Sequence, residues 1–560
     1  MSSSPSVLVA GAGPTGLILA IMLLKNGVSV RLIAKESKPR IGSRGAGVQP
    51  RTLELYDLLG ISTEILKRAD PELYRRRMYE MPEGSKVVKE LPVVEYVEPT
   101  PGMPHTNPVS LSQSVHEEIL RGCVHELGGR VEFGTALASL EQTPDHVKVK
   151  LVRTDCRGTE EMTEEARFDW LVGADGGNSI VRKQIGLSFL GETKEEEHVL
   201  VGDIDVESGI DRKFWHYWIP KSRMVVLRPG EGKSCRLAFT GGPEQWKQTL
   251  PTREELIEEL YASTGRRDIQ YGAVTWLSSF RPSMRMVDKF GVGRVYIAGV
   301  LLTFSSDAAH THSPTGGQGL NSSVQDAINL GWKLALVASG RAPQALLDSY
   351  SAERLPIIAE MLHLTTALYE KTAASAGAGD VKAWATASAR GGALGMLGVN
   401  MRGSPIVLAN SDDEDWAVEG GAYGASSEGA KAGYRSPDAP GLVGGDEVKT
   451  RLFDVFGPST HTVLVFGGDA AAHDSLTRAL TDWPKGTVQT VVLTRRGKSV
   501  DSVESGGKVL KDSDGHAYAG YAQDLNDGQM AVAIVRPDGV IGAVAKGAAE
   551  VEQYKKLLFG

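Results

Sequence analysis

Cysteine is nearly absent from this chain: 560 residues hold three, Cys123, Cys156 and Cys235. None forms a CxxC pair, so a disulfide framework is not expected and a reducing, cytoplasmic setting is. No apolar run is long enough for a membrane span. Met1-Ser2-Ser3-Ser4-Pro5 leads directly into the first apolar strand, so no signal peptide is expected. Neither sign of charge dominates, with 61 Lys+Arg against 69 Asp+Glu and a net charge of -8. The two signs are mixed along the chain, so nothing marks a nucleic-acid footprint. Glycine, by contrast, is plentiful at 65 residues, which suits many tight turns around a cofactor. The length allows two or three domains with sizeable cores.

Three glycine-rich phrases organise the first two thirds of the chain. Val7 to Ala10 reads as a short buried strand, followed at once by Gly11-x-Gly13-x-x-Gly16 and an apolar helix over Leu17 to Lys25. Gly27 stands where that helix should stop. This is the strand–turn–helix context of a dinucleotide fingerprint. The first glycine permits the turn, the second lets backbone approach a pyrophosphate, and the third lets helix and strand pack closely. The helix N-terminus then offers free N–H groups to phosphate. A second strand, Val28 to Ile33, should end in an acidic residue for the adenosine ribose, but Ala34 stands there. Glu36, two residues on, is the candidate substitute; a solvated charge beside Lys35 and Lys38 is the alternative.

The second phrase, Gly173-Ala174-Asp175-Gly176-Gly177, follows the strand candidate Phe168 to Val172. Asp175 is a candidate acceptor for a ribose hydroxyl, Gly176 turns the chain, and Arg182 is a candidate phosphate partner. A plain Asp-Gly turn is the alternative. The third phrase runs from Asp307 through Pro314, Gly316, Gly317 and Gly319 to Leu320 and Asn321, before a helical stretch over Ser323 to Ala338. Glycines before a helix start aim backbone N–H groups at something anionic. Reduced flavin carries such charge at its pyrimidine edge. Asp307, His310 and His312 fit no zinc spacing, so no metal is expected.

Together these phrases resemble the class A flavoprotein aromatic hydroxylases, in particular the phenol 2-monooxygenase-like branch. Three further stretches carry the resemblance: Gly42 to Glu54, Leu111-Ser112-Gln113, and Leu347 to Pro356. The resemblance implies that Arg44 and Gln113 contact FAD, that Asp307 contacts the ribityl chain, and that Pro314 lies beside the isoalloxazine as the catalytic-site proline. It also implies a reaction. NAD(P)H reduces FAD, O2 adds to form a C4a-hydroperoxyflavin, and oxygen passes to a phenolic or polyketide-type aromatic ring. NAD(P)H needs no Rossmann domain of its own there, which agrees with one convincing fingerprint in this chain. Baeyer–Villiger or epoxidising chemistry is the close alternative. A catalytically silent flavin-binding or scaffold protein is the alternative from another class, because of Ala34 and an insert.

That insert departs from the family pattern. The family writes strand, then Gly-Asp-Ala; here Gly299 is followed by residues 300–306 before Asp307. Either Val295 to Ala298 or Leu301 to Phe304 is the buried strand, since both cannot occupy one place.

The expected fold class is α/β. A Rossmann-type FAD-binding domain with an interleaved, mostly antiparallel substrate domain fills residues 1–370, the substrate part lying mainly in 85–105 and 190–290. A helical and linker region covers 371–434. A thioredoxin-like domain, by resemblance, covers 435–560; it holds no cysteine, which leaves packing or homodimerisation as its role. Phe214 to Trp218, Met224 to Leu227, Cys235 to Phe239 and Ala273 to Ser279 are strand candidates. Trp215, Tyr217 and Trp218 are candidates to face an aromatic substrate, with sheet-core packing as the alternative. Ser114-x-x-Glu117 reads as a capping box. Deleting residues 300–306 is expected to change flavin content and turnover; unchanged values of both contradict a disruptive insert.

Overall fold

The structure is a computed structural model that describes residues 6–42, 45–154, 161–193, 197–220, 223–281, 283–299, 310–311, 317–377, 384, 392–408, 421–424, 429–495 and 507–560. Its first sheet has six strands in the order Gly291–Val292, Val295–Ile297, Trp170–Gly173, Val7–Ala10, Val30–Ala34 and Val131–Phe133. The last five run parallel and the first is an antiparallel edge. Val7–Ala10 and Trp170–Gly173 are buried along their whole length. That is why they read as continuous apolar runs: a parallel sheet is covered on both faces.

The helix Pro14–Lys25 starts with proline, whose missing N–H costs nothing in the first turn. It ends at Asn26, and Gly27 takes the left-handed φ of 74°. Against it lies the helix Gly319–Ala338, longer at its start than the sequence pattern indicates. The two approach closely at Gly331, where a Cβ would stand 2.7 Å from Met22 Cβ.

Of the two strand candidates before Asp307, the first occupies the sheet. Val295–Ile297 pairs in parallel with Trp170–Gly173, and the Ala298 N–H donates to the Gly173 carbonyl at 3.0 Å. Leu301 to Phe304 lies outside the described residues.

The second sheet has seven strands in the order Gln270–Phe280, Val199–Ser208, Ser234–Thr240, Met224–Pro229, Phe214–Trp218, Arg75–Tyr79 and Val87–Pro92. Only Phe214–Trp218 and Arg75–Tyr79 pair in parallel. One face is closed by the helix Arg253–Thr264, whose Thr252 and Glu255 form a capping box. Trp218, Phe239, Leu256 and Leu260 fill the core between them.

A third, mixed sheet is built from the C-terminal region, with His461–Gly467, Val488–Arg495 and Lys508–Asp512 parallel at its centre. It shares one continuous apolar core with the first sheet. A buried ionic cluster ties the two together. Arg536, beyond the strand Met530–Val535, reaches Glu353 at 2.6 Å, and Lys333 reaches the same carboxylate at 2.6 Å. Asp538 pairs with Arg536 at 2.6 Å and accepts from Trp332 Nε1 at 3.0 Å. Burial alone would raise the Glu353 carboxyl; Arg536 and Lys333 outweigh it and hold the group well below the usual carboxylate range. None of the described helices is long and apolar enough to cross a membrane.

Removing one partner of a buried pair leaves its charges uncompensated. Glu353→Ala is therefore expected to cost about 3–5 kcal/mol in urea unfolding. A loss well under about 1 kcal/mol, the value of an exposed pair, contradicts this role.

Candidate functional site

The site forms where Val7–Ala10 and Trp170–Gly173 end side by side. Gly11 leaves the first strand with φ of 111°, a value that favours glycine. A Cβ there would stand 2.1 Å from the Ala174 carbonyl oxygen. One at Gly16 would stand 1.9 Å from the Gly11 carbonyl oxygen. Gly11 and Gly16 thus clamp strand, turn and helix together. Gly13 is the extended N-cap of Pro14–Lys25 and places no side chain over the first turn, which leaves its N–H groups for a ligand. Gly299 closes in from the neighbouring strand, φ 93°, with room for no Cβ against Thr15.

Beside this turn lies a cleft of about 260 Å³. Gly11, Gly13, Ala34, Glu36, Asp175 and Gly176 line it. Ala34 does sit at the end of its strand, and Glu36 does reach the same cleft. Burial disfavours the ionised Glu36, but the Arg40 hydrogen bond and charge prevail, and the carboxyl lies below its ordinary value. Asp175 is half-buried, with its Oδ1 shielded from solvent. Its Oδ2 accepts from the Ile180 N–H at 2.8 Å, while Oδ1 has no hydrogen-bond partner among the described residues. Burial raises this carboxyl above its ordinary value despite the Ser179 and backbone hydrogen bonds. An orphaned acceptor on the wall of a cleft calls for a donor from a ligand, and a sugar hydroxyl is one. Gly176 supplies the turn at φ 80°.

Arg182 is placed elsewhere. It donates to the Gly177 carbonyl at 2.8 Å and covers the Phe189 ring, so it braces the loop and does not line the cleft. Gln113 opens the helix Gln113–Glu126 and donates to Glu117 at 2.8 Å; Glu117, not Gln113, reaches the cleft. The expected capping box does not form. Ser112 is the N-cap, its hydroxyl turned to Glu231 at 3.0 Å, because Gln113 begins the helix one residue before Ser114. Sequence reasoning missed Glu117, Arg121 and Arg40 as lining residues. The spacing of Gln113, Glu117 and Arg121 puts all three on one helix face and was the available signal.

Gly317 has φ of 66°, and Asn321 is fully buried just inside the next helix. Asn321 accepts from the Gln49 N–H at 2.9 Å and donates to Gly47 at 3.0 Å and Gly317 at 2.8 Å. It holds the helix start, with Gly319 and Leu320, against the segment that follows residue 44. Arg44, Asp307, Pro314 and Gly316 lie outside the described residues.

The aromatic strand divides its side chains between two faces. Tyr217 lies against Trp384 at 5.0 Å, and Trp215 carries Arg228 over its ring at 4.6 Å. Trp218 points the other way, the placement of the sheet-core alternative. It is fully buried, stacks on Tyr79 at 4.9 Å and donates to Gly84 at 2.8 Å, under the helix Arg253–Thr264.

The family model described as "FAD binding domain" matches residues 4–365. A flavin-dependent monooxygenase of Mycobacteroides abscessus is 35% identical over 90% of this chain and 98% of its own length. The 6-methylpretetramide 4-monooxygenase of Streptomyces rimosus is 35% identical over 65% of this chain and 61% of its own length. The flavin-dependent monooxygenase PieE, solved with FAD and substrate, superposes with a TM-score of 0.78 at 22% identity, covering 98% of this chain and 97% of that one. This last likeness is one of fold.

Gly11→Ala forces a Cβ into backbone and is expected to lower the FAD content of the purified protein more than about tenfold, the scale of 1.4 kcal/mol. Gly122→Ala, in open space on a helix, serves as the control. Equal flavin absorbance in the two variants contradicts the cradle.

Proposed function

We propose that this chain, which belongs to the FAD binding domain family, is an FAD-dependent monooxygenase that hydroxylates a phenolic or polyketide-type aromatic ring with NAD(P)H and O2. The observation that carries the reading is the match to a flavin-dependent monooxygenase along nearly the whole of that relative. The resemblance thus extends beyond the cofactor domain.

FAD, if held by these residues, would supply the redox chemistry, with NAD(P)H as the reductant and O2 as the oxygen source. The protein's part is to bind, orient and exclude water. The N–H groups following Gly13 receive the pyrophosphate, and Glu36, steadied by Arg40, accepts adenosine ribose hydroxyls. Asp175 Oδ1 accepts a further sugar hydroxyl. The family resemblance assigns Arg44 and Asp307 to the flavin half and Pro314 to the side of its ring; all three lie outside the described residues. Gly317, Gly319 and Leu320 would present backbone N–H groups able to stabilise negative charge on the reduced cofactor, with Asn321 fixing that helix start; Gly316 is assigned to the same loop by its place in the sequence alone. Gln113 holds Glu117 at the cleft wall, and Arg182 braces the Asp175 turn. Trp215 and Tyr217 wall the substrate space from the second sheet.

Residues 1–370 form the cofactor and substrate unit in this reading. Residues 435–560 form a thioredoxin-like unit that packs against it through Arg536, and the enzyme works in the cytoplasm.

The visible spectrum before and after anaerobic NADPH tests the first half of the reading. A flavin spectrum that bleaches is expected. Turnover of phenols under isotopically labelled O2 tests the second, with a ring hydroxyl carrying the label as the expected product. A protein that takes up no FAD, or a labelled lactone in place of a phenol, contradicts the proposal.

A further inference from the structure

The second sheet carries a transverse row that its cofactor-side function has not absorbed. Six adjacent strands contribute one residue each, in the order Arg76, Trp215, Arg228, Arg236, Asp203 and Trp276. Arg76 pairs with Trp215, Arg228 with Arg236, Arg236 with Asp203, and Asp203 with Trp276. Trp215 meets Arg228 with the guanidinium 4.6 Å from its ring. Strand alternation puts all six on the face opposite Trp218 and the helix Arg253–Thr264.

Two contacts orient that face toward the cofactor cleft. A Cβ on Gly42 would stand 2.6 Å from the Trp276 ring, and Gly42 follows the cleft residues Glu36 and Arg40. Glu231, in the turn between the strands of Arg228 and Arg236, accepts from Ser112, the N-cap of the helix that brings Glu117 to the cleft. The row therefore lies in the space between the sheet and the cofactor domain.

Its charge is unusual for a sheet face. Three guanidinium groups stand in one row with a single carboxylate, and Arg228 stands between Arg236 and the Trp215–Arg76 pair. Arg228 Nε is buried and has no hydrogen-bond partner among the described residues. Burial, the largest cause, makes Arg236 less basic than usual; Asp203 and Glu231 pull the other way, and the like charge of Arg228 adds to burial. Holding such groups together out of water is costly, and an incoming anion offsets that cost. A guanidinium fork beside a tryptophan ring suits a planar acid: the ring lies against the indole while the carboxylate meets the fork.

We propose that this row is the substrate's anion subsite, and that the ring hydroxylated by this enzyme carries a carboxylate held by Arg228 and Arg236 beside Trp215. The inference rests on the hydroxylase reading above and deepens it by naming the substrate class.

Flavin-loaded enzyme titrated with an ortho-hydroxynaphthoate and with the matching neutral naphthol tests it, read by flavin difference spectra and by stimulated NADPH oxidation. The acid is expected to bind at least about tenfold more tightly, as one charged hydrogen bond allows. Arg228→Met and Arg236→Gln are expected to erase that preference while flavin content stays at the parent level. Arg228→Lys, which keeps the charge and loses the fork, is expected to restore part of it, and it answers for a Met variant that fails to fold. Equal binding of acid and naphthol, or a preference that survives both Arg228→Met and Arg236→Gln, overturns the subsite. A parent protein that stimulates NADPH oxidation with the naphthol alone overturns the subsite and leaves the hydroxylase standing. A parent protein that takes up no flavin overturns both.

Discussion

The contact on which the rest depends is backbone against backbone. Gly11 lies so near the Ala174 carbonyl, and Gly16 so near the Gly11 carbonyl, that neither position admits a Cβ. This crowding brings the ends of two parallel strands and one helix start to a common point. Free N–H groups after Gly13, the orphaned Asp175 acceptor and the Glu36 carboxylate then face one cleft. A wider turn would leave the same residues in the sequence but not in the same cleft.

Around that point the chain is interleaved. The first sheet takes strands from residues 7 to 297, and the second sheet is assembled from the segments between them. Asn321 locks the start of the helix Gly319–Ala338 to Gly47 and Gly317, and Gly331 lets the same helix close on Met22. Its far half carries Lys333 into the buried cluster with Glu353 and Arg536. One helix thus connects the cofactor side to the C-terminal sheet. Burial gives that cluster its directional force, since each charge is acceptable only with its partners in place.

Much of this was legible in the residues because it is local. Strand, glycine turn and helix follow one another within Val7 to Lys25, and steric rules for glycine act over a few residues. Gly27 as a helix stop is of the same kind. What stayed illegible depends on distant chain. Period-two alternation separates Tyr217 from Trp218 but does not say what covers each: Trp218 lies under Arg253–Thr264, and Tyr217 packs with Met78, Val226 and Trp384 on the other face. Ser112, not Ser114, stands at the N-cap, and its hydroxyl goes to Glu231, 119 residues away, rather than to the helix backbone. The pairing of Glu353 with Arg536 spans 183 residues and leaves no mark in either neighbourhood. The choice between Val295–Ile297 and the following apolar stretch likewise needed the partner strand Trp170–Gly173.

A crystal structure of the flavin-loaded protein decides whether this cleft is the adenosine end of an FAD site. The pyrophosphate is expected on the N–H groups after Gly13, a ribose hydroxyl on Glu36 and a sugar hydroxyl within hydrogen-bond distance of Asp175 Oδ1. A dinucleotide bound elsewhere, with Asp175 Oδ1 still lacking a partner, would contradict that assignment.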